Sequence, residues 1–217
     1  MAHNLNKSHY NMIEQQVRPS DVLEPRVLEA LATVMREDFV ADDFVALAYA
    51  DTQLPIGFGQ TMLSPVVEGR FLQALDIQSQ EHVLEIGTGS GYFTALLAHL
   101  AGHVTSVELI TELSEQAQQR LSKIENIAFY IGDAAQGWDL SDRVDVIIAT
   151  AAFVTVPGRY KHALQVGGRM LVVVGVAPAM EVQIVKRTAE REWEMETVFE
   201  TVIPAMINAE PKPEFKF

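Results

Sequence analysis

Apolar and polar positions change rhythm once along this chain, near His82. Before that point the spacing is helical. His9 to Val17 carries apolar residues at helical intervals, Glu24-Pro25-Arg26 opens a second helix with proline in its first turn, and Asp42 to Ala48 suggests a short third. Ser64-Pro65 starts a further helix running to about Leu75, with Ser64 as its N-cap. Between these, Pro55-Ile56-Gly57-Phe58-Gly59-Gln60 is broken by proline and glycine and reads as an irregular loop. From His82 onward, short β-branched runs alternate with helical stretches. Strands are expected at 82–86, 103–108, 127–131, 144–149 and 168–175, with helices after the first two and around 157–165. Runs apolar on both faces, separated by helices, argue for a parallel sheet covered on both sides. The ending differs: Glu181 to Lys186 and Trp193 to Val202 flank a charged turn and predict an antiparallel hairpin. The expectation is one α/β domain in which 1–77 form helices and a loop packed on a core of 78–217.

Within that rhythm, Val83-Leu84-Glu85-Ile86-Gly87-Thr88-Gly89-Ser90-Gly91-Tyr92 is the most informative stretch. A strand that stops at a tight glycine turn and feeds a helix (here about Tyr92 to Leu100) leaves unpaired N–H groups aimed at one spot. Glycine keeps the backbone bare for close approach. The spacing is G-x-G-x-G, because Tyr92 stands where a dinucleotide motif would have its third glycine or alanine. A purely structural turn is the bland alternative. With Glu85 two residues ahead, the spacing resembles the S-adenosylmethionine (SAM) site of Rossmann-like methyltransferases. Glu108, followed by Leu109, ends the second strand seventeen residues after Gly91 and suits both ribose hydroxyls; its alternative is a solvated carboxylate at a helix start. Gly132-Asp133-Ala134 ends the third strand, where a carboxylate can accept from an adenine amine, although Gly-Asp is also a common turn. The cofactor-binding set is thus Glu85, Gly87, Thr88, Gly89, Ser90, Gly91, Glu108, Leu109, Asp133 and Ala134.

Composition narrows the partners. At 217 residues the chain can bury roughly 70% of its unfolded surface. Its net charge of −13, with scattered basic residues, disfavours nucleic acids and anionic membranes. There is no cysteine, hence no disulfide or thiolate chemistry. No signal-like apolar start or membrane-length run is visible, and a cytoplasmic location is expected. The longest apolar stretch, Met170 to Met180, contains Gly175 and Pro178 and reads as a buried strand with its exit.

Other chemistries fit poorly. No phosphate loop G-x-x-x-x-G-K-[ST] occurs, Thr88 stands where a G-x-S-x-G nucleophile elbow needs glycine, and no histidine has metal-ligand spacing, so no metal is expected. His82, His99 and His103 read as surface or strand-edge residues, and Glu37-Asp38 and Asp42-Asp43 as solvated faces.

Beyond the SAM motif, Met12-Ile13-Glu14-Gln15-Gln16-Val17-Arg18, Pro25-Arg26-Val27-Leu28-Glu29-Ala30 and Arg36-Glu37-Asp38-Phe39-Val40 resemble the N-terminal helices of protein-L-isoaspartate O-methyltransferases. So do Ala48-Tyr49-Ala50-Asp51, Leu54 to Thr61, Thr150-Ala151-Ala152 and Gly167-Gly168-Arg169, which spreads the resemblance over nearly the whole chain. It implies a Rossmann-like, doubly wound, mostly parallel seven-stranded sheet closed by the C-terminal hairpin, with an N-terminal helical extension bearing the substrate loop. It also implies SAM as cofactor, S-adenosylhomocysteine as product, and transfer to the α-carboxylate of L-isoaspartyl residues in damaged protein or peptide. Two positions depart from the family pattern. Leu63 stands where the family has its active-site serine, leaving Ser64 or Thr61 to substitute; Met206 stands where threonine is usual. A different acceptor, either a small molecule or another protein, or a silent SAM-binding chain, are the alternatives those departures raise. Oligomeric state is not legible in the sequence.

Overall fold

The computed structural model describes residues 2–209, with side chains from Lys7 onward. The chain opens with α1 (Ala2–Met12), continues through a wide helical turn at Ile13–Val17, and adds α2 (Pro25–Thr33), whose Pro25 occupies the first turn as its fixed φ allows. Two 3₁₀ turns follow, at Arg36–Phe39 and Asp42–Leu47. The segment read as an irregular loop is instead a hairpin, β1 (Leu54–Gly57) against β2 (Gln60–Met62), with Gly57 paired to Gln60. Its glycines build the turn: φ is +91° at Gly57, +53° at Phe58 and +71° at Gly59, so both turn residues are left-handed, as tight hairpins require. α3 (Pro65–Leu75) comes next.

From His82 the alternation appears as expected: β3 (His82–Ile86), α4 (Tyr92–Leu100), β4 (His103–Glu108), α5 (Thr111–Arg120), β5 (Ile127–Ile131), β6 (Val144–Ala149), α6 (Gly158–Ala163), β7 (Leu164–Val176), β8 (Ala179–Ala189) and β9 (Glu192–Glu200). β7 starts four residues before the expected 168, because Leu164 already pairs with Val144 and an irregularity in register absorbs the glycines at 167 and 168. The sheet order is β5-β4-β3-β6-β7-β8-β9. The pairs from β5 to β7 are parallel, and β8 and β9 add antiparallel to one side.

Burial follows the pleat. Val83, Leu171 and Val173 face one apolar cluster shared with α1, α2, α3 and α4, whereas Leu84, Met170 and Val172 face the other, with Phe153 and Tyr160. The N-terminal helices therefore share a continuous core with the sheet. Arg26 strengthens that join by donating to the carbonyls of Ile77 and Leu100. No helix among the described residues is long and apolar enough to cross a membrane.

Candidate functional site

The chain runs outward from β3 to β5 and then crosses back to β6 on the other side of β3, and a cleft opens at this reversal, beyond the carboxyl ends of those strands. Its walls include Gly87 and Gly89 after β3, Glu108 and Leu109 at the end of β4, Asp133 and Ala134 after β5, and Thr150 after β6. Six of the ten cofactor residues expected from the sequence are thus brought together.

Each is held for a local reason. Glu108 Oε2 accepts from the Gly89 N–H at 2.8 Å and Oε1 from the Ile110 N–H at 3.0 Å. A carboxylate offers about four lone-pair sites, so each oxygen keeps one for a ligand hydroxyl. Asp133 Oδ1 accepts from the Ala135 N–H at 2.9 Å, and Oδ2 from Asn208 Nδ2 at 2.8 Å. Tyr160, buried in the lower core, donates its hydroxyl to the Ala134 carbonyl and fixes that floor.

The other four sit outside this cleft. Glu85 lines no cleft. It is fully buried behind the glycine turn, where Oε2 accepts from the Thr94 and Ser106 hydroxyls, each at 2.6 Å. Ser106 also meets Thr88 Oγ1 at 2.6 Å, so the acid braces the turn from below. Burial pushes the Glu85 carboxyl up to about 8, against those hydroxyl donors. Gly91 lines neither cleft but caps α4 at φ +89°, where a Cβ would lie 3.0 Å from Ala117 Cβ. Gly87 is likewise required by packing, because its Cβ would collide with Thr150 Oγ1. Only at Gly89 does the added Cβ meet a single flexible side chain, Ile56, at the mouth of the cleft.

Thr88 and Ser90 face a second, adjoining cleft together with Met62, Leu63, Glu68 and Phe93. The two clefts share Ile56, Thr61, Gly87, Gly89 and Thr150. Thr61 from the hairpin therefore stands at the junction. Ser64 lines neither cleft and, although it occupies the N-cap position of α3, makes no side-chain cap bond. The helix is capped instead by Asp51, whose Oδ1 accepts from the Val66 N–H at 3.2 Å. Leu63 is 3% exposed, one side in the core and the other on the second cleft.

Two contributions go beyond the sequence reading. Arg36, fully buried, donates to Glu68 and to the Leu63 carbonyl, and its guanidinium lies 4.9 Å from the Tyr92 ring centroid. It bolts the hairpin's return to the glycine turn, with Phe39 edge-on to Tyr92 at 5.5 Å. Burial raises the Glu68 carboxyl to about 8 in spite of the Arg36 charge pulling it down. The second is the segment after β9. Ala152 N–H donates to Pro204 O at 2.8 Å and Met206 N–H to Ala152 O at 2.7 Å, which lays Met206 and Ile207 along the first cleft. Arg36 stands in one of the segments that carry the resemblance, but nothing in the sequence shows it buried against Glu68; the second segment was marked only by the departure at Met206.

Comparison with known proteins places this geometry in a family. The model of the protein-L-isoaspartate(D-aspartate) O-methyltransferase family matches residues 7–209. A protein-L-isoaspartate O-methyltransferase of Syntrophus aciditrophicus is 38% identical over 88% of this chain and 88% of its own. Its counterpart in Anaeromyxobacter dehalogenans is 43% identical over 82% and 87%. Among solved structures, a Plasmodium falciparum protein described as a β-aspartate methyltransferase, in complex with S-adenosyl-L-homocysteine, superposes with a TM-score of 0.79 at 15% identity, covering 91% of this chain and 97% of that one. That last likeness concerns the fold.

Proposed function

The chain belongs to the protein-L-isoaspartate(D-aspartate) O-methyltransferase family and is a SAM-dependent methyltransferase acting on damaged protein, and we propose that its two clefts divide the reaction between cofactor and acceptor. SAM, when bound, supplies a methyl group on a positively charged sulfur. The first cleft suits it: bare backbone at Gly87 and Gly89, spare lone pairs on Glu108 for the ribose hydroxyls, and Asp133 beside Ala134 and Ala135 for the adenine edge.

The second cleft takes the L-isoaspartyl residue, whose free α-carboxylate is the nucleophile. That group is ionised at neutral pH, so the protein has no proton to remove. Its task is to align an oxygen with the methyl group and to exclude water, a proximity effect. The residues lining this cleft include no lysine, arginine or histidine, and Arg36 behind it is committed to Glu68 and Leu63. The lining thus brings no cationic side chain to the acceptor, and the cofactor's sulfonium would supply a positive charge beside it.

The observation that carries this reading is the shared wall at Thr61 and Thr150. Thr150 donates to the Gly87 carbonyl at 2.8 Å, whereas Thr61 makes only a long 3.3 Å contact with Gln53 Oε1 on the exposed side. Thr61 is accordingly assigned the hydroxyl donor to the acceptor carboxylate, in place of the serine that this family carries where Leu63 stands here. A hydrogen bond to a charged group is worth about 1.5–3 kcal/mol, so Thr61→Ala should lower kcat/KM on isoaspartyl peptide by about ten- to a hundredfold, with S-adenosylhomocysteine affinity unchanged. Thr61→Ser should retain most activity. Undiminished turnover in Thr61→Ala would remove Thr61 from this role. A small-molecule acceptor or a silent chain is not favoured by the family match or by these relatives.

A further inference from the structure

At the tip of the hairpin that walls both clefts stands Phe58, 54% exposed and at φ +53°. It occupies the first of two left-handed turn positions, where glycine and asparagine are the favoured residues. A bulky side chain in that conformation is disfavoured by its own Cβ. Nothing in the fold repays it: Phe58 is absent from both apolar clusters, and its only described hydrogen bond is a 3.4 Å one accepted by its carbonyl from Gln60. A strained residue with no packing role points to something outside the chain.

The hairpin's arms narrow the choice. Ile56 and Thr61 line both clefts, Gln60 lines the first and Met62 the second. The tip thus projects from the rim where an acceptor polypeptide must pass to deliver one residue inward. We propose that Phe58 is a specificity-determining anchor that packs against a bulky apolar side chain flanking the isoaspartyl residue of the substrate. The inference rests on the acceptor reading above and deepens it: the preferred substrates are those in which an apolar residue neighbours the damaged site. An exposed aromatic ring suits this partner, offering apolar area with little rotamer entropy to lose.

The test uses Phe58→Gly and two isoaspartyl peptides that differ only beside the isoaspartate, one with leucine and one with glycine. Affinity is measured on protein loaded with sinefungin, a SAM analogue bearing an ammonium group in place of the methylsulfonium. Phe58→Gly should melt within about 5 °C of the parent, because the strain relieved at the left-handed position offsets the entropy that glycine adds to the unfolded chain. It should bind the leucine peptide about tenfold more weakly, the loss of one partly buried apolar contact, and the glycine peptide unchanged. A melting temperature lower by more than that would make Phe58 structural, and equal affinity of both proteins for the leucine peptide would remove the anchor. Because binding is read without turnover, failure of the parent to methylate peptides that it binds would count against the proposed reaction and not against the anchor.

Discussion

At the scale of single residues, Glu85 shows how a motif acid can matter without touching ligand. It ends the strand that leads into the glycine turn, which made it a cofactor candidate, yet it is buried beneath the turn with Thr94 and Ser106. Its folded value of about 8 against 4.5 when unfolded has a definite sign. Below about pH 4.5 both states hold the proton and the contribution is fully present. Between that point and about pH 8 the unfolded chain ionises while the folded one does not, so stability falls as pH rises, by at most about 1.4 kcal/mol per pH unit. Glu85→Gln keeps the hydroxyl acceptor and removes the titration. Its stability relative to the parent should climb between pH 5 and 8 in denaturant melts; parallel curves would show that the carboxyl titrates normally. Glu108 and Asp133, by contrast, line the first cleft, a placement legible because strand ends in a parallel sheet open onto one crevice.

At the scale of elements, the strands of the core were readable because short, largely β-branched runs alternate with helical stretches, as a parallel sheet covered on both faces requires. The hairpin at Leu54–Met62 was not. Gly57 and Gly59 break helices and strands in general, but here they supply positive φ for a two-residue turn. The same blindness affected the start of α3, where Ser64 has the right position and Asp51, thirteen residues earlier, makes the bond. Removing a helix cap costs about 0.5–2 kcal/mol, so Asp51→Ala should lower stability by about 1 kcal/mol, whereas Ser64→Ala should stay within about 0.5 kcal/mol. Thermal melts of the two variants decide it, and the reverse order would return the cap to Ser64. The motifs around Arg36 and Met206 were visible, but their places in the site were not, for a related reason: each reaches it only through tertiary contacts, to Glu68 and Leu63 in one case and to Ala152 in the other.

At the scale of the whole molecule, the N-terminal helices and the sheet share one apolar cluster, so the hairpin that walls the acceptor cleft is set by the same core as the glycine turn. Arg36 ties the two directly. Two clefts, one at the sheet's reversal and one beside it, adjoin at Thr61 and Gly89, the geometry on which the proposed division between cofactor and acceptor rests. The most direct test offers the protein SAM and an equal mixture of an isoaspartyl peptide and its normal aspartyl isomer, and locates any transferred methyl by peptide fragmentation. The account predicts a methyl ester on the α-carboxylate of the isoaspartyl residue and none on the aspartyl isomer. Methyl transfer to both isomers alike, or to neither by protein that binds S-adenosylhomocysteine, would contradict it.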